Sequence, residues 1–187
     1  LAPQAPTMWM DDGTGEYTKD GSSKYTEVLD ALIGAFVDAH PQIDRSRIYI
    51  GGCSNGGYMS LNMALQYPER FAAVVQICEA YRDAGISDAE LVRIKDLPLW
   101  FVYARNDDVV PPEEYEEPTI ARLRAMGADL RVSVFEDVHD RYGMTDPKTG
   151  APWQFSGHWS WVYFFNNACI DPVSGEHIWS WMGRQKR

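Results

Sequence analysis

Arg47-Ile48-Tyr49-Ile50-Gly51-Gly52-Cys53-Ser54-Asn55-Gly56-Gly57 is a short apolar run of strand composition that stops in a glycine-flanked serine, and Tyr58 to Tyr67 follows at once with a helical pattern. Gly52 to Gly56 spell G-x-S-x-G, the arrangement in which a nucleophilic serine sits at the tip of a sharp strand-to-helix turn. Strand and helix nearly touch at such a turn, so the positions two before and two after the serine are expected to have no room for a side chain. A helix beginning just after Ser54 points its free N–H groups at any oxyanion made there, and Asn55 would donate the first of them. Small glycine-rich turns are common, but here the strand precedes and the helix follows, as the motif requires.

The bulk properties frame that turn. At 187 residues the chain suits one domain that buries roughly 70% of its unfolded surface. It is 45% hydrophobic, 24% charged and 13% aromatic, a globular composition. A formal charge of −10 argues against nucleic acid as a partner, because phosphate backbones are bound by clustered Lys and Arg. The one basic cluster, Arg184 to Arg187, reads as a solvated helix end. No run approaches the roughly 20 apolar residues of a membrane helix, so no membrane partner is expected. No signal peptide opens the chain, which says little because residue 1 is leucine. Cys53, Cys78 and Cys169 cannot all pair and form no C-x-x-C; Cys53 and Cys78 read as small buried hydrophobes, with one disulfide as the alternative.

Outward from the serine turn, the pattern alternates strand and helix. Leu1 to Gln4 reads as the tail of a strand running into a polar, glycine-rich loop. Val28, Leu29, Leu32, Ile33, Phe36 and Val37 recur at helical spacing over Tyr25 to His40, and Pro41 ends the helix with His40 as a C-terminal cap. Phe71 to Ile77 is a continuous apolar run, the mark of a strand covered on both faces, and Leu97 to Ala104 is another. Asp83 to Lys95 is a polar connection with some helical character. Pro112 to Met126 is a helix with an acidic first turn, stopped by Gly127, and Arg131 to Phe135 alternates as an outer strand does. Strands separated by helices imply parallel pairing with right-handed crossovers, an α/β class.

Open α/β sheets keep their functional groups on loops at the C-terminal ends of strands. Three carboxylates qualify as the acid of a triad: Glu79, Asp107 and Asp108. The acidic turn Asn106-Asp107-Asp108 is equally well explained by turn propensity alone. Two histidines suit the base. His139 stands in E-D-V-H-D, where Glu136, Asp137 and Asp140 also invite a metal reading that lacks a second histidine at ligand spacing. His158 stands in G-H-W-S-W, where Ser160 can cap a helix whose inner face is Trp161, Phe164, Phe165 and Ala168. In the terminal helix His177 to Gln185, Ile178, Trp181 and Met182 point inward and His177 is an N-terminal decoration.

The run R-I-Y-I-G-G leading into C-S-N-G-G-Y-M resembles that of the α/β-hydrolase serine esterases, above all the polyhydroxybutyrate-depolymerase-like and prolyl-oligopeptidase-like bacterial branch. The resemblance extends through nearly the whole chain. It implies a three-layer α/β-hydrolase fold with a mostly parallel sheet and a single domain over residues 1–187. It assigns the triad acid to Asp107, in the D-x-V-V-P slot, with Asp108 as runner-up. It assigns the base to His158, because G-H-W-S-W followed by Y-F-F-N-N-A-C matches the family's histidine segment. Serine, acid, histidine is the chain order of that class. Trp159, beside His158, is expected to wall the substrate pocket and Trp161 to belong to the core. No metal or organic cofactor is called for, and the substrate would be a small-molecule or carbohydrate-linked carboxylic ester. A prolyl-oligopeptidase-like peptidase and a non-catalytic hydrolase-fold binding module are the alternatives.

The same resemblance implies eight strands, whereas four can be counted after Leu1. The strand at Ile48 to Ile50 would then expose an apolar edge, which natural proteins avoid. No loop before Ser54 offers the usual second oxyanion donor. The expectation is therefore a C-terminal portion of a larger hydrolase domain, whose N-terminal half is supplied in cis or in trans. The alternative is a shortened hydrolase in which the Thr7 to Ser23 loop covers the edge and donates that N–H.

Overall fold

A computed structural model describes residues 1–14 and 23–187. Four strands, β1 (Tyr49–Cys53), β2 (Ala73–Ile77), β3 (Leu99–Ala104) and β4 (Leu130–Phe135), lie side by side in that order and are parallel throughout. Helices connect them: α1 (Thr26–Ala39) precedes β1, and α2 (Asn55–Gln66), α3 (Asp88–Ile94) and α4 (Glu116–Ala125) are the crossovers. Two short helices, α5 (Trp161–Phe165) and α6 (Ile178–Arg184), close the chain.

The register explains where a site can form. Cys53 pairs with Ile77, Ile77 with Val102, and Ala104 with Phe135, so the strands finish nearly flush and their following loops emerge along one edge. The two middle strands carry the continuous apolar runs because both of their faces are covered. Val74, Leu99 and Phe101 pack with Leu61, Leu65, Leu91 and Leu123 of α2, α3 and α4. Val75, Trp100 and Val102 face the other way, toward Tyr163, Ile178 and Trp181 of α5 and α6. Three layers result, and the Trp100 indole N–H, fully buried, is satisfied by Ser133 Oγ at 3.0 Å. At the start of α3, Ser87 and Glu90 form a capping box: Glu90 N–H donates to Ser87 Oγ and Ser87 N–H to Glu90 Oε2.

Several expectations change. Leu1 to Gln4 forms no strand. In α1, Leu29 and Val37 are buried as read, but Val28 and Leu32 stand exposed, because among the described residues α1 packs mainly on α2. Phe165 is exposed as well: α5 is five residues long, so its helical face does not continue toward Ala168, and the buried residues there are Tyr163 and Phe164. Of the Thr7 to Ser23 loop, residues 15–22 lie outside the described residues; its described part buries Met10 in the core and Asp11 in an ion pair with Lys24 at 2.7 Å.

β1 is an edge strand. Where β2 is buried at every residue, β1 is half-buried with Gly51 exposed. Beside it runs a groove of about 480 Å³ lined by Leu29, Ile33, Phe36, Ile48, Ile50 and Met59 among others, and none of Ser54, Asp107 or His158 touches it.

Candidate active site

Ser54 joins β1 to α2 with φ 54° and ψ −119°, a conformation a serine adopts only when its surroundings impose it. Those surroundings are backbone. Ser54 N–H donates to the Ile77 carbonyl at 2.9 Å, and the Ser54 carbonyl accepts from Tyr58 N–H at 2.9 Å and from Ala80 N–H at 3.2 Å. A Cβ at Gly52 would lie 2.2 Å from the Gly56 carbonyl oxygen, so that glycine is obligatory. Gly56 differs from the motif-based expectation: a Cβ there meets nothing within 4 Å. The tight position is the next one, Gly57, whose Cβ would fall 2.7 Å from the Glu79 backbone, because α2 starts by crossing the loop after β2.

Ser54 Oγ lies 2.8 Å from His158 Nε2, and His158 Nδ1 lies 2.8 Å from Asp107 Oδ2. Asp107 follows β3 and is buried; its other oxygen accepts from Val109 N–H and Val110 N–H, both at 2.9 Å, which fixes the carboxylate in the direction of the ring. His158 sits in a 3-10 turn, Gly157–Trp159, and is buried. Ser160 was the expected helix cap, but its hydroxyl is buried and caps nothing; Ser156 accepts instead, from His158 N–H at 3.3 Å. Trp161 stands edge-on to the imidazole with ring centres 5.5 Å apart. Serine hydroxyl, imidazole and carboxylate thus form one hydrogen-bonded line drawn from three different loops. Such a line can pass a proton from a hydroxyl to an imidazole whose positive form is stabilised by the acid.

The profile of the phospholipase/carboxylesterase family matches residues 5–142, well over half of the chain, including Ser54 and Asp107. The chain belongs to that family. No curated protein matches it. Among solved structures, a thermostable esterase shares 27% identity and a TM-score of 0.70, over 96% of this chain and 41% of that one. SOBER1 of Arabidopsis thaliana has 17% identity and a TM-score of 0.53, covering 68% of this chain and 62% of that one. The acylaminoacyl peptidase of Pyrococcus horikoshii has 21% identity and a TM-score of 0.51, covering 64% and 24%. The last two share the fold. This chain therefore spans about two-fifths of the thermostable esterase's length and about a quarter of the peptidase's.

The remaining candidates of this phospholipase/carboxylesterase-family chain lie elsewhere. Asp108 is exposed. Glu79 is fully buried behind the serine turn, where its Oε2 accepts from Tyr81 N–H at 2.6 Å. His139 bonds through Nδ1 to Asp137 Oδ1 at 2.6 Å, and its backbone N–H donates to Tyr163 Oη at 2.9 Å, so neither Ser54 nor Asp107 is among its hydrogen-bond partners. Of the three acidic residues around it, Glu136 pairs with Arg105, and Asp140 accepts from Tyr142 N–H and Met144 N–H, so their carboxylates do not converge. His40 Nδ1 bonds the Phe36 carbonyl and His177 Nδ1 the Asn167 carbonyl, both at helix ends.

Asn55 is the first residue of α2, where its N–H has no partner within the helix. Its side chain does something the sequence did not signal: Oδ1 accepts from Trp9 N–H at 2.9 Å and so ties the N-terminal segment to the serine turn. Trp159 is 44% exposed and stacks between Phe155 and Trp161, each ring centre 5.9 Å away. All three cysteines are free; burial pushes the Cys53 thiol up to about 11 and that of Cys169 to about 12, and raises Cys78 further.

One more pair was hidden. Glu79 and Glu116 are both completely buried, and three of their four carboxyl oxygens have no hydrogen-bond partner. Burial pushes Glu79 up to about 8, and burial followed by the neighbouring Glu79 raises Glu116 well above the usual carboxylate range. Glu116 stands in the acidic first turn of α4, as the sequence pattern indicates, yet it has no exposed surface.

Proposed function

We propose that the chain hydrolyses carboxylic esters through an acyl-enzyme, with Ser54 as nucleophile, His158 as general base and then acid, and Asp107 holding the imidazole tautomer. The single observation that supports this is the line Ser54 Oγ, His158 Nε2, His158 Nδ1, Asp107 Oδ2, with 2.8 Å at each hydrogen bond. His158 takes the serine proton as Ser54 attacks the acyl carbonyl and returns it to the departing alcohol; water then repeats the sequence on the acyl-enzyme. Asn55 N–H donates to the oxyanion, and Trp159 walls the pocket for a small-molecule or carbohydrate-linked ester.

The open edge of β1 belongs to the same proposal. Its half-buried strand and the adjoining apolar groove are suited to a further strand, supplied in cis or in trans, whose following loop would contribute a second oxyanion N–H. Loss of one such donor costs roughly 2.7–4 kcal/mol of transition-state stabilisation, so these residues alone would turn over esters slowly.

Fluorophosphonate labelling tests the reading directly, because only an activated serine reacts. The expected result is covalent modification at Ser54, lost in Ser54→Ala, together with a fall of several orders of magnitude in aryl-ester turnover. An unreactive Ser54, or activity retained in Ser54→Ala, would leave a hydrolase-fold binding module as the better description.

A further inference from the structure

Among the described residues, one group of metal-ligating side chains brings its donor atoms together: Cys78, Asp107 and His158, each offering an atom within 4.8 Å of the others. Two of the three are already in the proposed mechanism; Cys78 is not. It sits at the end of β2 with φ 37°, a strained conformation for a non-glycine residue that places it in the loop next to the serine turn. The thiol is fully buried. The geometry points to a site for a borderline-soft divalent cation such as zinc, held by Cys78 Sγ, Asp107 and His158 Nδ1, which switches the enzyme off.

Charge and donor type favour this ion. A thiolate, a carboxylate and a neutral imidazole sum to −2, which a divalent cation neutralises, and a neutral cluster is the one that burial tolerates. Sulfur and imidazole nitrogen select zinc or cadmium over magnesium or calcium, which prefer oxygen. Tetrahedral zinc holds such donors roughly 3.3–3.6 Å apart, so Cys78 must close by about 1 Å and the hydrogen bond between His158 and Asp107 must open.

Inhibition follows from proton bookkeeping. In the resting site Nδ1 carries the ring proton toward Asp107, and Nε2 is free to accept from Ser54. Coordination through Nδ1 moves that proton to Nε2, and the Cys78 thiol proton leaves to solvent. One proton is released per ion bound, and no redox step is involved. Nε2–H then donates to Ser54 Oγ and can no longer take its proton.

The inference rests on the proposed role of His158, so its test needs a readout that does not depend on turnover. Metal-free protein is titrated with cadmium, whose thiolate complexes absorb in the ultraviolet. One equivalent should produce the band in the parent and equally in Ser54→Ala, which has no activity to lose, and the band should be absent in Cys78→Ala. In parallel, zinc should inhibit aryl-ester hydrolysis by the parent at a concentration at least tenfold below that needed for Cys78→Ala, while Cys53→Ala and Cys169→Ala keep the parent's sensitivity. Should Cys78→Ala lose its fold by circular dichroism, Cys78→Ser is read in its place. A cadmium band that persists without Cys78, or no band in the parent, overturns the site. A band without any measurable esterase activity would keep the site and sink the hydrolytic reading instead.

Discussion

Ser54 Oγ and His158 Nε2 are 2.8 Å apart although 104 residues separate them in the chain. The contact exists because β1 and β3 end flush in a parallel sheet, which brings the loop after each strand to one edge, and because the His158 turn docks against the loop after β3. His139, by contrast, spends its Nδ1 on Asp137 and forms an isolated bridge with Gln154. Under the proposed mechanism His158→Ala abolishes ester hydrolysis, whereas His139→Ala keeps it within about tenfold. Steady-state kinetics on an aryl ester checks this, and the opposite ranking of the two variants would move the base to His139.

The glycines of the turn separate by what surrounds them. Gly56 has open space at its Cβ position and lies within a helix, so Gly56→Ala should be neutral or stabilising by about 0.5–1 kcal/mol. Gly57→Ala forces α2 away from the Glu79 backbone and should destabilise by about 1–3 kcal/mol, with loss of activity as the serine turn shifts. Chemical denaturation of both variants decides it; equal stability of the two would contradict the packing described.

Trp159 offers a test of the substrate wall. Its ring is held between Phe155 and Trp161, so truncation removes an exposed surface without opening the core. Trp159→Ala should raise KM for aryl and long-chain acyl esters several-fold while changing kcat little, the signature of lost uniform binding. An unchanged KM across a panel of acetyl, feruloyl and longer acyl esters would place Trp159 outside the pocket.

What the sequence carried was local. The serine turn is written in eleven consecutive residues, and β2 and β3 in unbroken apolar runs, because strand, turn and helix there depend on near neighbours. The choice of Asp107 over Asp108 or Glu79, and of His158 over His139, depends on which loops converge at one end of the sheet; the residues by themselves left both choices open, and resemblance made them. Burial was the least legible quantity. Val28 and Leu32 share the helical period of Leu29 but are exposed, whereas Glu116, in an acidic helix start, has no exposed surface at all. The 2.9 Å bond from Trp9 N–H to Asn55 Oδ1 had no sequence signal, since a backbone donor carries no residue identity.

The buried carboxyl pair gives the chain a stability that depends on pH. Complete burial is the main cause that raises Glu79 from 4.5 to about 8, with Tyr81 N–H opposing it and Asp83 adding to it. Glu116 faces Glu79 and feels Asp107, and Asp83 is itself paired with Arg122 at 2.8 Å. The folded state holds the Glu79 proton more tightly than the unfolded chain does. Its contribution is therefore complete below pH 4.5 and is lost as pH rises through about 8. Over that window stability should decline with pH, by up to about 1.4 kcal/mol per pH unit for each proton involved. Glu79→Gln keeps the shape and cannot ionise, so its denaturation midpoint should fall less steeply from the acid to the alkaline end of the window, and the parent and the variant should differ most near pH 8. Parallel slopes for the two proteins would mean that Glu79 does not titrate in this range on folding.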